Sequence, residues 1–163
     1  MAAGSTYTPI ATTTLGSAAS SYTFSSIPGT YTDLVLVVYT KNSVQLDSLG
    51  LQFNSDTGSN YSNTGLSGNG SSASSYRQTN QSEMNIGLIS TNDAINIIQI
   101  MNYSNSTTYK TAISRANVPA ELVRAVVGLW RSTSAITSIK VKDGSGNNMS
   151  IGTTMTLYGI QAA

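Results

Sequence analysis

The chain has 163 residues, of which 39% are hydrophobic and only 9% are charged, and its formal net charge is +1. This length suits one domain with its own core, and the few, dispersed Lys and Arg residues argue against nucleic-acid binding, which needs clustered cations. The sequence contains no His and no Cys, which excludes disulfides, Cys/His zinc sites and His-activated nucleophiles.

The first twenty residues form a polar segment. The opening MAAGST has neither a basic nor an apolar stretch, so we expect no signal peptide. Tyr7, Ile10 and Leu15 are isolated apolar points, too few for a core strand. Residues 1–20 are therefore predicted to be a polar N-terminal arm that pairs with a neighbouring subunit, followed by a single β-sandwich domain over residues 21–163.

Strand patterns dominate the first half of that domain. Residues 22–24 alternate, residues 33–40 (DLVLVVYT) are apolar on both faces, as expected of a central strand, and residues 49–53 alternate again. Residues 55–80 consist almost entirely of Ser, Gly, Asn and Thr. We predict one long loop there, and long loops commonly carry binding surfaces.

The second half continues the pattern. Residues 84–89, 94–101, 110–115, 135–142 and 153–160 are predicted strands separated by polar turns. Residues 117–121 resemble a helix start, but the alternation over residues 122–130 favours a strand. The result is an all-β fold, an antiparallel β-sandwich of jelly-roll type with eight to ten short strands.

The candidate binding residues are aromatic and amide side chains in polar stretches. Tyrosines in Ser-, Gly- and Asn-rich loops offer rigid contact area beside adaptable hydrogen-bonding groups. The candidates are Tyr61, Tyr76, Asn60 and Tyr103. A second interpretation places these tyrosines at the sandwich ends or in a subunit interface. Trp130 follows a core-type strand and is predicted to pack in the core.

Acidic chemistry is sparse. Asp56 lies in a segment, FNSDTGSNY, whose alternating oxygen side chains resemble a calcium loop, but one carboxylate without a bidentate Glu supports weak binding at best. The other interpretation is an Asx turn that closes the preceding strand. The remaining acids sit mostly at strand ends and turns, unlike the paired carboxylates of a glycosidase. We expect no enzyme, no cofactor and no metal beyond the weak Asp56 candidate.

Three sequence blocks carry a family resemblance. They are residues 24–37 (FSSIPGTYTDLVLV), residues 53–61 (FNSDTGSNY), and residues 128–139 (GLWRSTSAITSI) closed by residues 152–160 (GTTMTLYGI). Together they resemble virion structural proteins and fibre-tip domains of tailed phages, particularly cyanophages, from about residue 20 to the C-terminus. The resemblance implies a structural setting and carries no active residues.

The resulting hypothesis is a virion structural protein, made in the host cytoplasm. The first interpretation is a tail-fibre or appendage component whose Tyr-bearing loops attach to a host-surface glycan or protein. The alternative is a capsid decoration or cement protein, and a polysaccharide depolymerase is a minor third. The expected partners are the chain itself as a homo-oligomer, with a trimer expected, and other virion proteins. Membrane insertion is not expected, because the longest apolar runs are too short.

Overall fold

The protein is described by a computed structural model over residues 6–41 and 46–161. The described residues form strands and no helix, so no helix among them could cross a membrane. Their twelve strands are β1 Tyr7–Thr14, β2 Ser21–Phe24, β3 Asp33–Thr40, β4 Asp47–Phe53, β5 Tyr61–Gly68, β6 Ala73–Gln81, β7 Met84–Ile89, β8 Ala94–Met101, β9 Lys110–Val118, β10 Leu122–Trp130, β11 Ile139–Asp143 and β12 Thr154–Ile160.

The strands form two antiparallel sheets that pack as a sandwich. The larger sheet has the order β1-β12-β3-β8-β9-β10-β5-β6, and the smaller has the order β2-β11-β4-β7. Without β5, β6, β9 and β10, the orders β1-β12-β3-β8 and β2-β11-β4-β7 are those of an eight-stranded jelly roll. The predicted all-β jelly-roll sandwich is therefore confirmed, with two antiparallel strand pairs, β5–β6 and β9–β10, added to the larger sheet.

The core lies between the two sheets. Strand β3 is central, pairing with β12 on one side and β8 on the other, which explains why it is apolar on both faces. Leu34, Leu36 and Val38 point into the sandwich and are fully buried. From the smaller sheet they are met by Leu49, Leu51, Phe53, Ile86, Ile139 and Val141.

The N-terminal segment differs from the prediction. Strand β1 pairs with β12 of the same chain from Tyr7 to Thr14, so these residues are an outer strand of the large sheet. Ile10 and Ala11 pack on the core and Leu15 is buried. The prediction of a polar arm that pairs with a neighbouring subunit was wrong for residues 7–14, because backbone pairing with β12 of the same chain stabilises a strand that has few apolar side chains of its own. Residues 1–5 lie outside the described ranges.

The predicted loop over residues 55–80 was also wrong. Its second part is a strand pair, with β5 in register against β10 and β6 against β5. The strand count of eight to ten was low for the same reason, because β1, β5 and β6 are polar strands that tertiary pairing holds. The strand predicted over residues 122–130 is confirmed as β10.

The strand predicted over residues 135–142 exists only in part, as β11 from Ile139 to Asp143. The Asn54 side chain holds the preceding residues instead. Its Oδ1 accepts from the backbone N–H groups of Thr137 and Ser138 at 2.8 and 3.2 Å, and its Nδ2 donates to the Ala135 carbonyl at 2.7 Å. These bonds satisfy backbone groups that a longer β11 would have paired with another strand.

Candidate functional site: the outer face of the added strand pairs

The added strand pairs and the adjoining β8 present one continuous face on the side away from the core. The Cα register from β8 to β6 aligns outward-pointing residues in rows across the five strands. The three rows are Ile95, Asn117, Val123, Gly68 and Ala73; Ile97, Arg115, Ala125, Leu66 and Ser75; and Gln99, Ile113, Val127, Thr64 and Arg77. We call this surface the outer face.

The outer face is unusually apolar. Among the described residues nine large hydrophobic side chains are exposed, and five of them lie here. They are Leu66 at 64% exposure, Val123 at 57%, Ile95 and Val127 at 50%, and Ile113 at 47%. Soluble monomers rarely leave such side chains contiguous, and contiguous patches mark interaction sites.

The face carries two open hollows. Its larger hollow, of about 950 Å³, is lined by residues of all five strands, from Ile95 on β8 to Ser75 on β6. A smaller hollow of about 250 Å³ lies around Val127 and Leu129 and is bordered by Arg77. Both are open to solvent. The size of the larger one matches a binding site, and its openness suits a protein segment better than an enclosed small molecule.

The charges on this face are all positive. Arg115 lines the larger hollow and Arg77 the smaller, and none of the described residues lining either hollow is acidic. Both arginines are exposed, and neither makes a hydrogen bond or ion pair within the described chain. Arg124, on the same strand pair, is engaged: its Nε donates to Ser67 Oγ at 3.1 Å and its guanidinium lies over the Tyr76 ring.

Three sequence-predicted residues come together in one hydrogen-bonded cluster, in which Asp56 and Asn60 are partly buried and Tyr61 is fully buried. Asp56, Asn60 and Tyr61 form a cluster with Trp130 and Phe53. The Asp56 Oδ2 accepts from Trp130 Nε1 at 2.7 Å and from Asn60 Nδ2 at 2.9 Å, while Oδ1 accepts from the backbone N–H of Gly58 at 2.8 Å. Asp56 is thus the Asx turn that the sequence allowed, with both oxygens bonded by the protein.

The ionisation of this cluster follows its contacts. Burial of Asp56 alone would raise the pKa of its carboxyl, but the hydrogen bonds from Trp130, Asn60 and Gly58 outweigh burial and hold the pKa below its ordinary value. Tyr61 is fully buried, and burial raises the pKa of its phenol to about 12. Its hydroxyl accepts from the Phe53 N–H at 2.9 Å and donates to the Asp56 carbonyl at 3.1 Å.

Tyr61 and Tyr103 were wrongly expected to be contact residues in exposed loops. Both side chains are fully buried. Tyr103 donates to the Pro28 carbonyl and accepts from the Tyr31 N–H at 3.4 Å, which ties two loops together, and burial raises the pKa of its phenol. A tyrosine in a polar stretch can serve as the core anchor of that stretch, because its hydroxyl satisfies loop backbone while its ring packs. Trp130 is buried, as predicted.

Tyr76 is the one candidate tyrosine that stays partly exposed. Its ring lies against Gly65, where an added Cβ would come within 2.4 Å of the ring, and Arg124 covers it at 5.4 Å from the centroid. It sits on the inward side of β6, opposite the outer face. Asn60 is half-buried and donates to Asp56, so the structure does not bring Asn60 and Tyr76 into one site.

Metal-ligating side chains are scattered. Within residues 6–41 and 46–161, no three or more Asp or Glu side chains are grouped so that they could hold a metal ion. Asp143 is fully buried; its Oδ1 accepts from the backbone N–H groups of Ser145 and Asn147, and its Oδ2 has no partner among the described residues. A side-chain oxygen that accepts from two nearby backbone N–H groups is typical of a turn, in agreement with the polar turn predicted between the strands at residues 135–142 and 153–160.

The outer face was missed by sequence reasoning, although a signal existed. In β10, Val123, Ala125, Val127 and Leu129 are apolar on one side while Val126 and Trp130 are apolar on the other. A strand that is apolar on both faces and lies beyond the jelly-roll core needs a cover for its second face. Without the strand order, that second apolar face cannot be distinguished from the buried face of a central strand.

Comparisons of the chain with protein-family models, with curated proteins and with solved structures found no match.

Proposed function

We propose that this chain is a non-catalytic structural subunit of a tailed-phage particle, held in place through protein contacts at its outer face. The observation that carries the proposal is the concentration of five exposed hydrophobic side chains on the outer face, four on the added strand pairs and Ile95 on the adjoining β8. A catalytic domain has no need of such a face, whereas a subunit that is assembled with others does.

The acidic residues support a structural role. All seven Asp and Glu side chains lie in described ranges, and each already accepts hydrogen bonds or pairs with a cation within the chain. Carboxylates used in this way fix turns and strand ends. The setting in a virion rests on the resemblance of residues 24–37, 53–61, 128–139 and 152–160 to tailed-phage structural proteins, and on a sequence with few charges.

Two structural roles in the particle are considered, together with one enzymatic role. A tail-fibre or appendage protein would contact a host glycan or protein through tyrosine-bearing loops. Two of the candidate tyrosines, Tyr61 and Tyr103, are buried, which weakens the case for this role. A capsid decoration or cement role needs a broad surface that holds on to other virion proteins, and the outer face favours it. A polysaccharide depolymerase remains the minor third candidate. It would need two carboxylates that face each other across a sugar, whereas the carboxylates of this chain bond turns and strand ends.

We also propose that the chain is a homo-oligomer, with a trimer expected. Strand β1 carries Pro9 and a bulge, which block edge pairing, and β7 is covered by side chains of the large sheet. The fourth edge, β2, has only four residues, whereas β6 has nine and no proline, so β6 is the longest open edge among the described strands. Light scattering of the purified chain at high concentration tests this, and a monomer contradicts it.

Copy number per particle tests the proposed function. Quantitative mass spectrometry of purified particles should detect the chain as a virion component. A ratio to the coat protein near one supports decoration, a ratio far below one supports a fibre or appendage, and absence from the particle contradicts the proposal. A parallel assay for shortening of host polysaccharide by the purified chain should show no cleavage, and cleavage supports the depolymerase instead.

A further inference from the structure

The two arginines of the outer face lack partners, while every acid in the chain has one. Of the eight Lys and Arg residues, five are engaged: Lys41 with Asp93, Lys142 with Glu83, Lys110 with two backbone carbonyls, Arg124 with Ser67 and Tyr76, and Arg131 with Asn80 and the Ser59 carbonyl. Within the described chain, the unpaired cations are Arg77, Arg115 and Lys140. Two of these three border the apolar hollows.

This imbalance identifies what kind of surface covers the face. A second copy of the chain offers no free surface carboxylate, because each of its seven acids accepts a hydrogen bond or pairs with a cation, and the two oxygens without a partner, Asp47 Oδ2 and Asp143 Oδ2, are buried. A different protein segment with apolar side chains and carboxylates would fill the hollows and pair with Arg77 and Arg115. Such pairing sets the register and orientation of the partner.

The spacing of the arginines adds a constraint. Arg115 lies on β9 and Arg77 on β6, three strand spacings apart and one row apart along the strands, so their Cα atoms are roughly 16 Å apart at about 4.8 Å per strand and about 3.3 Å per residue. An extended segment that crosses the strands spans roughly 13 Å over four residues, and the long arginine side chains reach across the remaining distance. Positions four apart lie on the same side of an extended chain, with one position between them also facing the sheet.

We infer that the outer face binds an extended acidic–apolar segment of another protein, with two carboxylates four residues apart that meet Arg115 and Arg77. The apolar residue between them enters the hollow bounded by Leu66, Ala125 and Val127. The inference rests on the proposed assembly role in that it takes the partner to be a protein. It deepens that role by stating the partner's chemistry.

Selection from a library of displayed random peptides against the immobilised full chain tests this inference directly. Enriched sequences should carry an acid, any residue, an apolar residue, any residue and a second acid. Synthetic copies are then titrated by fluorescence anisotropy against the native chain, Arg115→Gln, Arg77→Gln and Lys140→Gln. The last variant is the matched control, since Lys140 is an unpaired cation on the smaller sheet.

Each arginine substitution should weaken binding about fivefold, the effect of one partly buried ion pair, and Lys140→Gln should leave it unchanged. Replacing by Gln only the Glu that pairs with Arg115 should weaken binding to the native chain and have little further effect on Arg115→Gln. The inference is wrong if no sequence is enriched, if enriched peptides lack acids, or if Val123→Ser with Val127→Ser leaves binding intact.

Binding to vesicles of zwitterionic lipid, with and without phosphatidylglycerol, tests whether the outer face binds a membrane instead of a protein. Binding to anionic vesicles that Arg115→Gln abolishes would assign the face to a membrane and overturn the protein partner. These outcomes are separate from the copy-number test, because a chain can be present in particles without binding acidic peptides, and the reverse also holds.

Discussion

The Asp56 carboxylate shows how one side chain organises the turn after β4. It joins the turn backbone at Gly58, the side chain of Asn60 and the indole of Trp130, which lies at the end of β10. Tyr61 completes the cluster by bonding the Phe53 and Asp56 backbone. The turn residues over 54–60 therefore connect the smaller sheet with the added strand pairs.

Asp56→Asn should destabilise the fold by about 2 kcal/mol at neutral pH, because an amide is a weaker acceptor than a carboxylate for these bonds. Asp56 has a pKa below its unfolded value of about 4, so its contribution is present above that pH and is lost as the pH falls through the folded pKa. Urea unfolding at neutral and acidic pH should show the gap between native and variant closing in acid. Asp93→Asn, in an exposed turn, is the control, and equal losses for the two would contradict this role.

Tyr61 should be among the last tyrosines to ionise. Burial raises the pKa of its phenol to about 12, so the stability it contributes is present below about pH 10 and is lost as the pH rises through 12. Alkaline titration followed by phenolate absorbance should therefore show a late component. Tyr61→Phe should remove that component and cost about 1–3 kcal/mol, since the Phe53 N–H loses its partner. Joint titration of all nine tyrosines near pH 10 would argue against burial of this ring.

Sequence reasoning at the residue scale predicted Trp130 and the Asx turn correctly and Tyr61 wrongly. Trp130 follows an apolar strand, so its neighbours already indicate the core. Tyr61 follows a polar turn and opens a polar strand, and only the Tyr61–Trp130 stacking across β5 and β10 explains its burial. That contact joins residues far apart in the sequence, which local composition cannot show.

At the scale of the elements, the edge of β7 is closed by side chains. Asn96 of β8 accepts from the Leu88 N–H at 2.6 Å and donates to the Leu88 carbonyl at 2.9 Å, as a neighbouring strand would. Ser114 of β9 donates to the Ile86 carbonyl. These two side chains let β7 end the smaller sheet inside the sandwich with its backbone satisfied.

Asn96→Asp should destabilise the fold by about 3 kcal/mol, because a fully buried carboxylate would face the Leu88 carbonyl without a donor. Urea unfolding measures the loss. Asn117→Asp changes the same chemistry on an exposed position of β9, where the effect should stay within about 0.5 kcal/mol. A loss at Asn96 no larger than that at Asn117 would mean that the edge is not held in this way.

Deletion of residues 1–14 should weaken the sandwich. The deletion removes β1, opens the edge of β12 and uncovers core contacts of Ile10 and Ala11. We expect a drop in Tm of about 10 °C, equivalent to roughly 3 kcal/mol for a domain of this size. Differential scanning calorimetry with light scattering in parallel distinguishes this from loss of an assembly contact. An unchanged Tm together with a smaller oligomer by light scattering would support the predicted arm that pairs with a neighbouring subunit.

The polar strands limited what the sequence could predict about elements. Strands β3, β8, β10 and β12 carry enough apolar residues to be recognised from their own pattern. Strand β6 (ASSYRQTNQ) is held by pairing with β5 along most of its length, and β5 in turn by β10. Its stability comes from the neighbour's backbone, a tertiary contribution that local propensity does not contain.

At the scale of the whole molecule, the jelly roll and the outer face have separate roles. The eight jelly-roll strands, together with the inner faces of the added pairs, enclose the main core. The outer sides of the added pairs and of β8 carry five exposed hydrophobic residues and two unpaired arginines. Composition predicted a structural, weakly charged domain, but only the strand order shows that its apolar surface is gathered in one place.

Incorporation into particles measures the central claim most directly. Particles are assembled with the native chain or with Val123→Ser and Val127→Ser, two exposed changes on β10 that should leave the fold intact by circular dichroism. Mass spectrometry then compares the chain's copy number per coat subunit. The account predicts that the native chain is present and that the variant is reduced at least tenfold. Equal incorporation of a folded variant would contradict the claim that the outer face holds this subunit in the particle.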